Sequence, residues 1–304
     1  MTLRKFVSER KGKGYGPMPD PGTPPVIGII GGSGLYEIDG LEKVEWRNIT
    51  SPFGAPSDAF MFAELAGQKL VFLPRHSRGH RIPPSELNFR ANIDALKRVG
   101  VTEIISLSAV GSLREDLPPG TFIIVDQFID RTFAREKSFF GTGLVAHVSM
   151  AEPVCTRLGD TLAQAAEAAN IETVRGGSYL AMEGPQFSSR AESDLYRQWG
   201  CSVIGMTNMP EAKLAREAEV CYATVAMVTD FDCWHPDHED VTVETIIKVL
   251  MENADKARVL IREVVPRLAG RVETCYAGCH TALETAIITA PDARDPTIVA
   301  KLSA

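Results

Sequence analysis

The apolar run VAMVTDFDCW, residues 225–234, closes on two acids two positions apart, Asp230 and Asp232. Side chains along a strand repeat every second residue, so both carboxyls belong on one face at the strand's carboxyl end. That is the end at which open α/β sheets hold their ligands. Burial and a like-charged neighbour each raise a carboxyl pKa. One acid of such a pair therefore stays neutral at physiological pH, able to donate through its O–H and accept through its carbonyl oxygen. Other turns suit an oxyanion. In IGIIGGSGL (27–35) a strand runs into glycines whose amides, with the Ser33 hydroxyl, can cradle an anion. FLPRHSRGHRIPP (72–84) puts Arg75, His76, Arg78, His80 and Arg81 directly after a strand, a guanidinium fork with imidazoles beside it. SLSAVGSLRED (106–116) offers the Ser108 hydroxyl and the Ala109 amide, and GMTNMPEA (205–212) places Met206 and Thr207 at another strand terminus. In EGPQFSSRAES (183–193), Phe187 could stack on a flat ring beside Ser188, with Glu192 one helical turn further on.

These groups need a sheet that ends at all of them. Apolar, β-rich runs at 26–30, 59–65, 69–74, 103–108, 122–126, 179–182, 202–206 and 220–230 alternate with helical patterns at 88–99, 157–169, 190–199, 210–218 and 243–268. That alternation predicts an α/β fold, a central mixed, twisted sheet flanked by helices. Composition does not shift across the region, so residues 26–304 read as one domain. Residues 1–25, rich in Gly, Pro and basic residues without a hydrophobic stretch, read as a mobile extension rather than a secretory leader.

Composition excludes several classes. No stretch of the 304 residues approaches the ~18 consecutive apolar residues of a membrane span, and a net charge of −7 argues against a nucleic-acid surface. The six cysteines form no CxxC pair and read as reduced thiols of a cytoplasmic protein. Cys275 and Cys279 fall one turn apart if helical, which suits packing. His235, Asp237 and His238 superficially suit a divalent metal, but a lone loop triad without a second cluster makes a poor site. The glycine turn lacks the third glycine of a dinucleotide fingerprint, which disfavours a nicotinamide-binding or redox protein.

Taken in order, GIIGGSGL, PRHSRGH, SAVGSLRED, FIDRT, MAEP, EGPQFSSRAES and TDFDCW, spread over residues 26–265, resemble the trimeric nucleoside phosphorylases. The resemblance implies a homotrimer in which inorganic phosphate, as co-substrate, attacks C1′ of a nucleoside, with no other cofactor and no metal. It implies that Ser33, Arg75, His76, Ser108, the Ala109 amide and Thr207 hold phosphate. Met206 contacts the ribose, Phe187 the base, and Asp230, with Asp232 beside it, protonates the departing purine. Val243 and Ile246 match residues lining an apolar 5′ pocket, and His147 one that reaches in from the adjacent subunit. Members that prefer 6-oxopurines have Asn in place of Asp230 and Glu in place of Ser188, so this chain is expected to take the adenine nucleoside 5′-methylthioadenosine. The alternative is broader or 6-oxopurine specificity. Segment 133–150 is shorter than in the animal members, and no site residue is assigned beyond 246.

Overall fold

The computed structural model describes residues 24–32, 34–236, 243–269 and 275–303, with backbone only at 243–246. Ser33, Asp237, His238 and nearly all of the expected N-terminal extension lie outside the described residues. The elements run β1 (Val26–Gly31), β2 (Glu42–Arg47), β3 (Phe60–Leu65), β4 (Gln68–Pro74), α1 (Phe89–Arg98), β5 (Val101–Ser112), β6 (Phe122–Ile124), β7 (Gln127–Arg131) and α2 (Thr156–Ala168). They continue with β8 (Thr173–Arg175), β9 (Ser178–Met182), α3 (Arg190–Gln198), β10 (Val203–Gly205), α4 (Asn208–Glu217), β11 (Cys221–Asp230), α5 (Val243–Leu268) and α6 (Pro296–Ser303).

All eleven strands join one sheet, ordered β2-β3-β4-β1-β5-β10-β9-β7, with β11 on the other edge of β5 and leading to β6 and β8. The sheet is mixed, as expected: β1 and β11 run parallel to β5, whereas β10 is antiparallel to it. Strands buried on both faces read as unbroken apolar runs, and VCYATVAMVTD does so because helices cover both sides. On one face Leu158 and Leu162 of α2 pack with Leu260, Ile261 and Val264 of α5. On the other Ile93 and Leu96 of α1 pack with Ala212 and Leu214 of α4. At ~1.5–3 kcal/mol for each large aliphatic side chain buried, these two layers hold the sheet rigid.

The topology opens the sheet at one place. β1 pairs with β5 as far as Ile30 against Ser106, and β10 takes over the same edge only at Gly111 and Ser112. Between those registers β5 is paired on the β11 side alone. Ala109 is exposed there, between Ser108 and Val110, which are 3% and 2% exposed.

Local signals account for the element ends. Asn88 caps α1 by accepting from the Ala91 amide, and Gly100 follows it at φ +89°. Glu192 does not serve Ser188: it closes a capping box with Ser189, taking the Ser189 amide at 2.7 Å. In α4 the backbone of Met209 is extended, so regular helix starts at Pro210, the first-turn position expected for that proline. β2, β7 and β8 were not expected. Every residue of β2 is exposed and β7 holds no fully buried residue, so neither carries an apolar run. Cys275 and Cys279 are not on a helix. They flank a tight turn, Gly278 at φ +67°, and Cys279 begins a single 3₁₀ turn.

A Cβ on Gly205, the last residue of β10, would lie 2.0 Å from the Tyr179 hydroxyl. Gly205→Ala is therefore expected to lower the unfolding free energy by ~1–3 kcal/mol through overpacking, measured by urea denaturation against the parent chain.

Candidate active site

The opening along β5 is lined by hydroxyls. Ser108 Oγ lies 3.0 Å from the Tyr179 hydroxyl and 3.1 Å from Thr207 Oγ1. Ser108 comes from mid-β5, Tyr179 from β9, and Thr207 caps the start of α4 without giving its side chain to the helix. Burial raises the Tyr179 phenol well away from ionisation, so it remains a donor. Three rotatable O–H groups at one point, beside an exposed stretch of backbone at Ala109, can re-aim at an oxyanion.

Arg75 departs from expectation. It is only 2% exposed, and its Nε and Nη2 grip Glu211 at 2.9 and 3.2 Å. Nη2 also donates to Ser106 Oγ at 2.6 Å and Nη1 to the Leu107 carbonyl at 3.0 Å. The fork read as free for an anion is thus committed to a buried carboxylate one strand position below Ser108. Asn208, Tyr222 and Thr224 complete this network: Asn208 donates to Ser106 and Tyr222, Thr224 donates to Asn208, and Tyr222 donates to Glu211 at 2.9 Å. Sequence reasoning missed Glu211; the signal was an acid in the first turn of the helix, right after a strand terminus, and it is 2% exposed.

Further along β5, on its β11 edge, stand the two acids. Asp230 closes β11 opposite Gly111, where a Cβ would meet Asp230 Oδ1 at 3.0 Å and Asp232 Cβ at 3.3 Å. Both acids therefore lie against the bare backbone of Gly111. The cause is not strand alternation, because β11 ends at Asp230 and Asp232 is brought round by a left-handed residue, φ +53°. Burial raises the Asp230 pKa, against hydrogen bonds from Thr229 Oγ1 at 2.6 Å and the Asp232 amide at 2.8 Å. Burial also raises Asp232, and the Asp230 charge adds to it, against the nearby Ser193 and Ser188 hydroxyls. Ser188 is buried beside this pair and its carbonyl takes the Cys233 thiol at 3.4 Å.

Met206 is held by an unforeseen clamp. All five N–H groups of Arg135 are used: Nε on Glu183 at 3.0 Å, Nη1 on the Met206 and Met209 carbonyls at 2.6 Å each, and Nη2 on the Met182 and Glu183 carbonyls. Burial works against the Glu183 charge. Hydrogen bonds from Ser85, the Phe133 and Ala134 amides and Arg135 outweigh it and bring Glu183 down to about 2. The Met206 side chain lies over Gly184, where a Cβ would come within 2.5 Å of its sulfur. Glu183 sat inside a quoted motif; Arg135 carried no signal.

The remaining expected residues scatter around this centre. His76 donates through Nδ1–H to the Ile82 carbonyl at 2.9 Å, which fixes the Nδ1–H tautomer of the neutral ring, and stacks on His80 at 4.4 Å. Arg78 is tied to Asp58 rather than free. Phe187 is 56% exposed and His147 is exposed, both facing outward from this chain. The side chains of Val243 and Ile246 lie outside what is described; their backbone begins α5. Two surface cavities, ≈ 440 Å³ beside Arg114 and Arg197 and ≈ 550 Å³ beside Asn48 and Asp58, lie away from the acids and the hydroxyl trio.

Residues 26–266 match the family model described as the phosphorylase superfamily. S-methyl-5′-thioadenosine phosphorylase of Rhodospirillum rubrum is 64% identical over 280 residues, 92% of this chain and 95% of that one. The same-named protein of Bradyrhizobium diazoefficiens is 61% identical, over 93% of this chain and 97% of that one. Among solved structures, a methylthioadenosine phosphorylase from an antarctic soil metagenomic library superposes with a TM-score of 0.86 at 48% identity, covering 91% of this chain and 96% of that one. The methylthioadenosine phosphorylase from Schistosoma mansoni in complex with adenine gives 0.77 at 39% identity, covering 80% and 92%.

Burial, with the Arg75 charge next, lowers the His76 pKa to about 4. Above pH ~6.5 the ring is neutral in folded and unfolded chains alike. As pH falls from ~6.5 towards 4 the unfolded chain takes up a proton that the folded one refuses, so stability declines in that window. His76→Asn, which keeps a donor for the Ile82 carbonyl, is expected to flatten the decline by ~1–3 kcal/mol after allowance for solvent screening. Unfolding free energies measured between pH 7.5 and 4 check it.

Proposed function

The chain belongs to the phosphorylase superfamily, and from that premise we propose that it catalyses the reversible phosphorolysis of 5′-methylthioadenosine to adenine and 5-methylthioribose 1-phosphate. The observation that carries the assignment is a half-buried acid, Asp230, with a raised pKa at the carboxyl end of β11 opposite Gly111, three residues along β5 from Ser108, whose hydroxyl meets those of Tyr179 and Thr207.

Those positions divide the work. A phosphate oxygen forms a bond to C1′ while the bond from C1′ to N9 breaks, and the electron pair of that bond goes to the purine. Ser108, Thr207 and the Ala109 amide hold phosphate behind C1′, with His76 at the rim and Ser33 in the glycine turn. Arg75 contributes a fixed positive end beneath them while Glu211 holds it in place. Positioning of this kind lowers the barrier by paying orientation in advance. Asp230 gives its O–H to N7 as negative charge develops on the ring, and its carbonyl oxygen accepts from the 6-amino group. The carboxylate left behind regains a proton from solvent when adenine leaves. Asp232 keeps the local field unfavourable to a second negative charge.

Specificity follows from the same pairing. An Asn at 230 would suit a 6-oxopurine, and a Glu at 188 would accept from a protonated N1 that adenine lacks; Asp230 and Ser188 leave adenine satisfied. Phe187 covers the base, Met206 the ribose, and Val243 and Ile246 the thioether. We place the complete site in a homotrimer, with the exposed His147 reaching the neighbouring subunit. Inorganic phosphate is the co-substrate and no metal enters the chemistry. The products, a free purine and a thio-sugar phosphate, suit cytoplasmic salvage of purine and methionine sulfur.

Adenine release from 5′-methylthioadenosine is expected to require phosphate, and inosine to be cleaved about 10- to 100-fold less efficiently, the cost of one mismatched buried polar group. A clear preference for inosine, or cleavage indifferent to phosphate, would reject the assignment. Asp230→Asn should lose ~10²–10⁴ in kcat on 5′-methylthioadenosine, the typical worth of a positioned proton donor, and far less on inosine; steady-state kinetics on the two nucleosides read the difference.

A further inference from the structure

Four of the six cysteines converge at the opposite end of β11 from Asp230. The Sγ atoms of Cys155, Cys221, Cys275 and Cys279 all lie within 4.8 Å of one another, and all four residues are buried. Cys155 immediately precedes α2, Cys221 opens β11, and Cys275 and Cys279 flank the turn in the carboxyl-terminal segment. We propose that these four cysteines bind one thiophilic divalent cation, Zn²⁺, as a closed tetrathiolate site.

The geometry favours a metal over its rivals. Zinc–sulfur bonds of ~2.3 Å put the sulfurs of a tetrahedral site ~3.8 Å apart on every edge. Here the Cys155 and Cys275 sulfurs are 3.4 Å apart, and every other separation falls within the same small compass. A disulfide would join two sulfurs at ~2.05 Å and gives no reason for a second pair to share the spot. The spacing Cys275-x₃-Cys279 lies in the range of structural zinc sites. Its turn is tight because Gly278 adopts φ +67° and donates its amide to the Cys275 carbonyl at 3.0 Å.

The surroundings suit thiolates. Arg157 Nη2 is 3.5 Å from Cys221 Sγ and Arg216 Nη1 is 3.8 Å from Cys279 Sγ. Nη2 of Arg157 also donates to Glu103, while its Nε and Nη1 are buried without a hydrogen-bond partner among the described residues. Neighbouring guanidiniums stabilise the thiolate form. His280 has Nδ1 at 3.2 Å from the Glu219 carbonyl, which makes Nδ1 the N–H, so Nε2 presents its lone pair to Cys221 Sγ at 3.6 Å. Binding Zn²⁺ releases four thiol protons and leaves a formal charge of −2 on the cluster, which Arg157 and Arg216 offset in part.

Such a site would pin the tail to the sheet. From Cys279 the chain continues to Ala286, whose carbonyl accepts from the His147 amide at 2.9 Å, and Ile288 donates to the Val145 carbonyl at 3.0 Å. The metal thus anchors the segment that braces His147.

The full-length chain, reconstituted with Zn²⁺ under reducing conditions and gel-filtered, is expected to retain about one zinc per chain by elemental analysis. Replacement by Co²⁺ should give intense sulfur-to-cobalt absorption, and Cys275→Ser/Cys279→Ser should reduce bound zinc to less than about a tenth. Wild-type zinc below about a tenth per chain would overturn the proposal. So would fewer than six free thiols, the full complement, in denatured, metal-stripped protein never exposed to reductant, which would mean disulfides instead. If the double variant does not fold, the wild-type stoichiometry, thiol count and cobalt spectrum decide alone.

Discussion

Burial without a cation raises the pKa of Asp230, and the chemistry proposed for the site depends on it. Three other carboxyls of this chain are also removed from water, yet Asp58, Asp130 and Glu183 are all brought down to about 2. Each has a cation in direct contact: Arg78, Lys213 and Arg135 respectively. Asp230 is bonded to the Thr229 hydroxyl and the Asp232 amide, and those two hydrogen bonds are too weak to offset its desolvation. A neutral acid is costly for the fold, because the carboxyl prefers to ionise in water. The proposed function gives a reason to keep it, since a leaving base needs a proton.

The same economy of charge appears across the opening. Arg75 is paired with Glu211 inside the protein, so the groups presented at Ser108 and Thr207 are hydroxyls, with the guanidinium held beneath them. Hydroxyls rotate to follow an oxyanion as its charge moves during bond exchange. The buried pair fixes the strand and the α4 terminus that carry them. Breaking it by removing one partner would strand the other charge in the core. Catalytic geometry and sheet stability are therefore tied through one ion pair.

What was legible in the sequence follows the range of the interactions. The carboxyl end of β11, the positions of Ser108 and Thr207 and the start of regular helix at Pro210 come from local patterns: apolar runs, small residues and helix-start chemistry. The pairing of Arg75 with Glu211 was not legible because the two residues are 136 apart. The closeness of Asp232 to Asp230 was anticipated for a different reason, since a left-handed turn rather than strand alternation produces it. β2 was invisible because none of its residues is buried. The cysteine cluster joins residues 120 apart, Cys155 and Cys275, and spacing between distant cysteines says nothing about where the fold will bring them.

The neutral state of Asp230 is open to direct observation. Infrared difference spectra of the chain with phosphate but no purine bound, at pH 7, recorded for the parent chain and for Asp230→Asn, isolate this one carboxyl. A protonated carbonyl stretch present in the parent and lost in the variant is the expected result. A parent spectrum carrying only ionised carboxylate at that position would contradict the assignment of Asp230 as the proton donor.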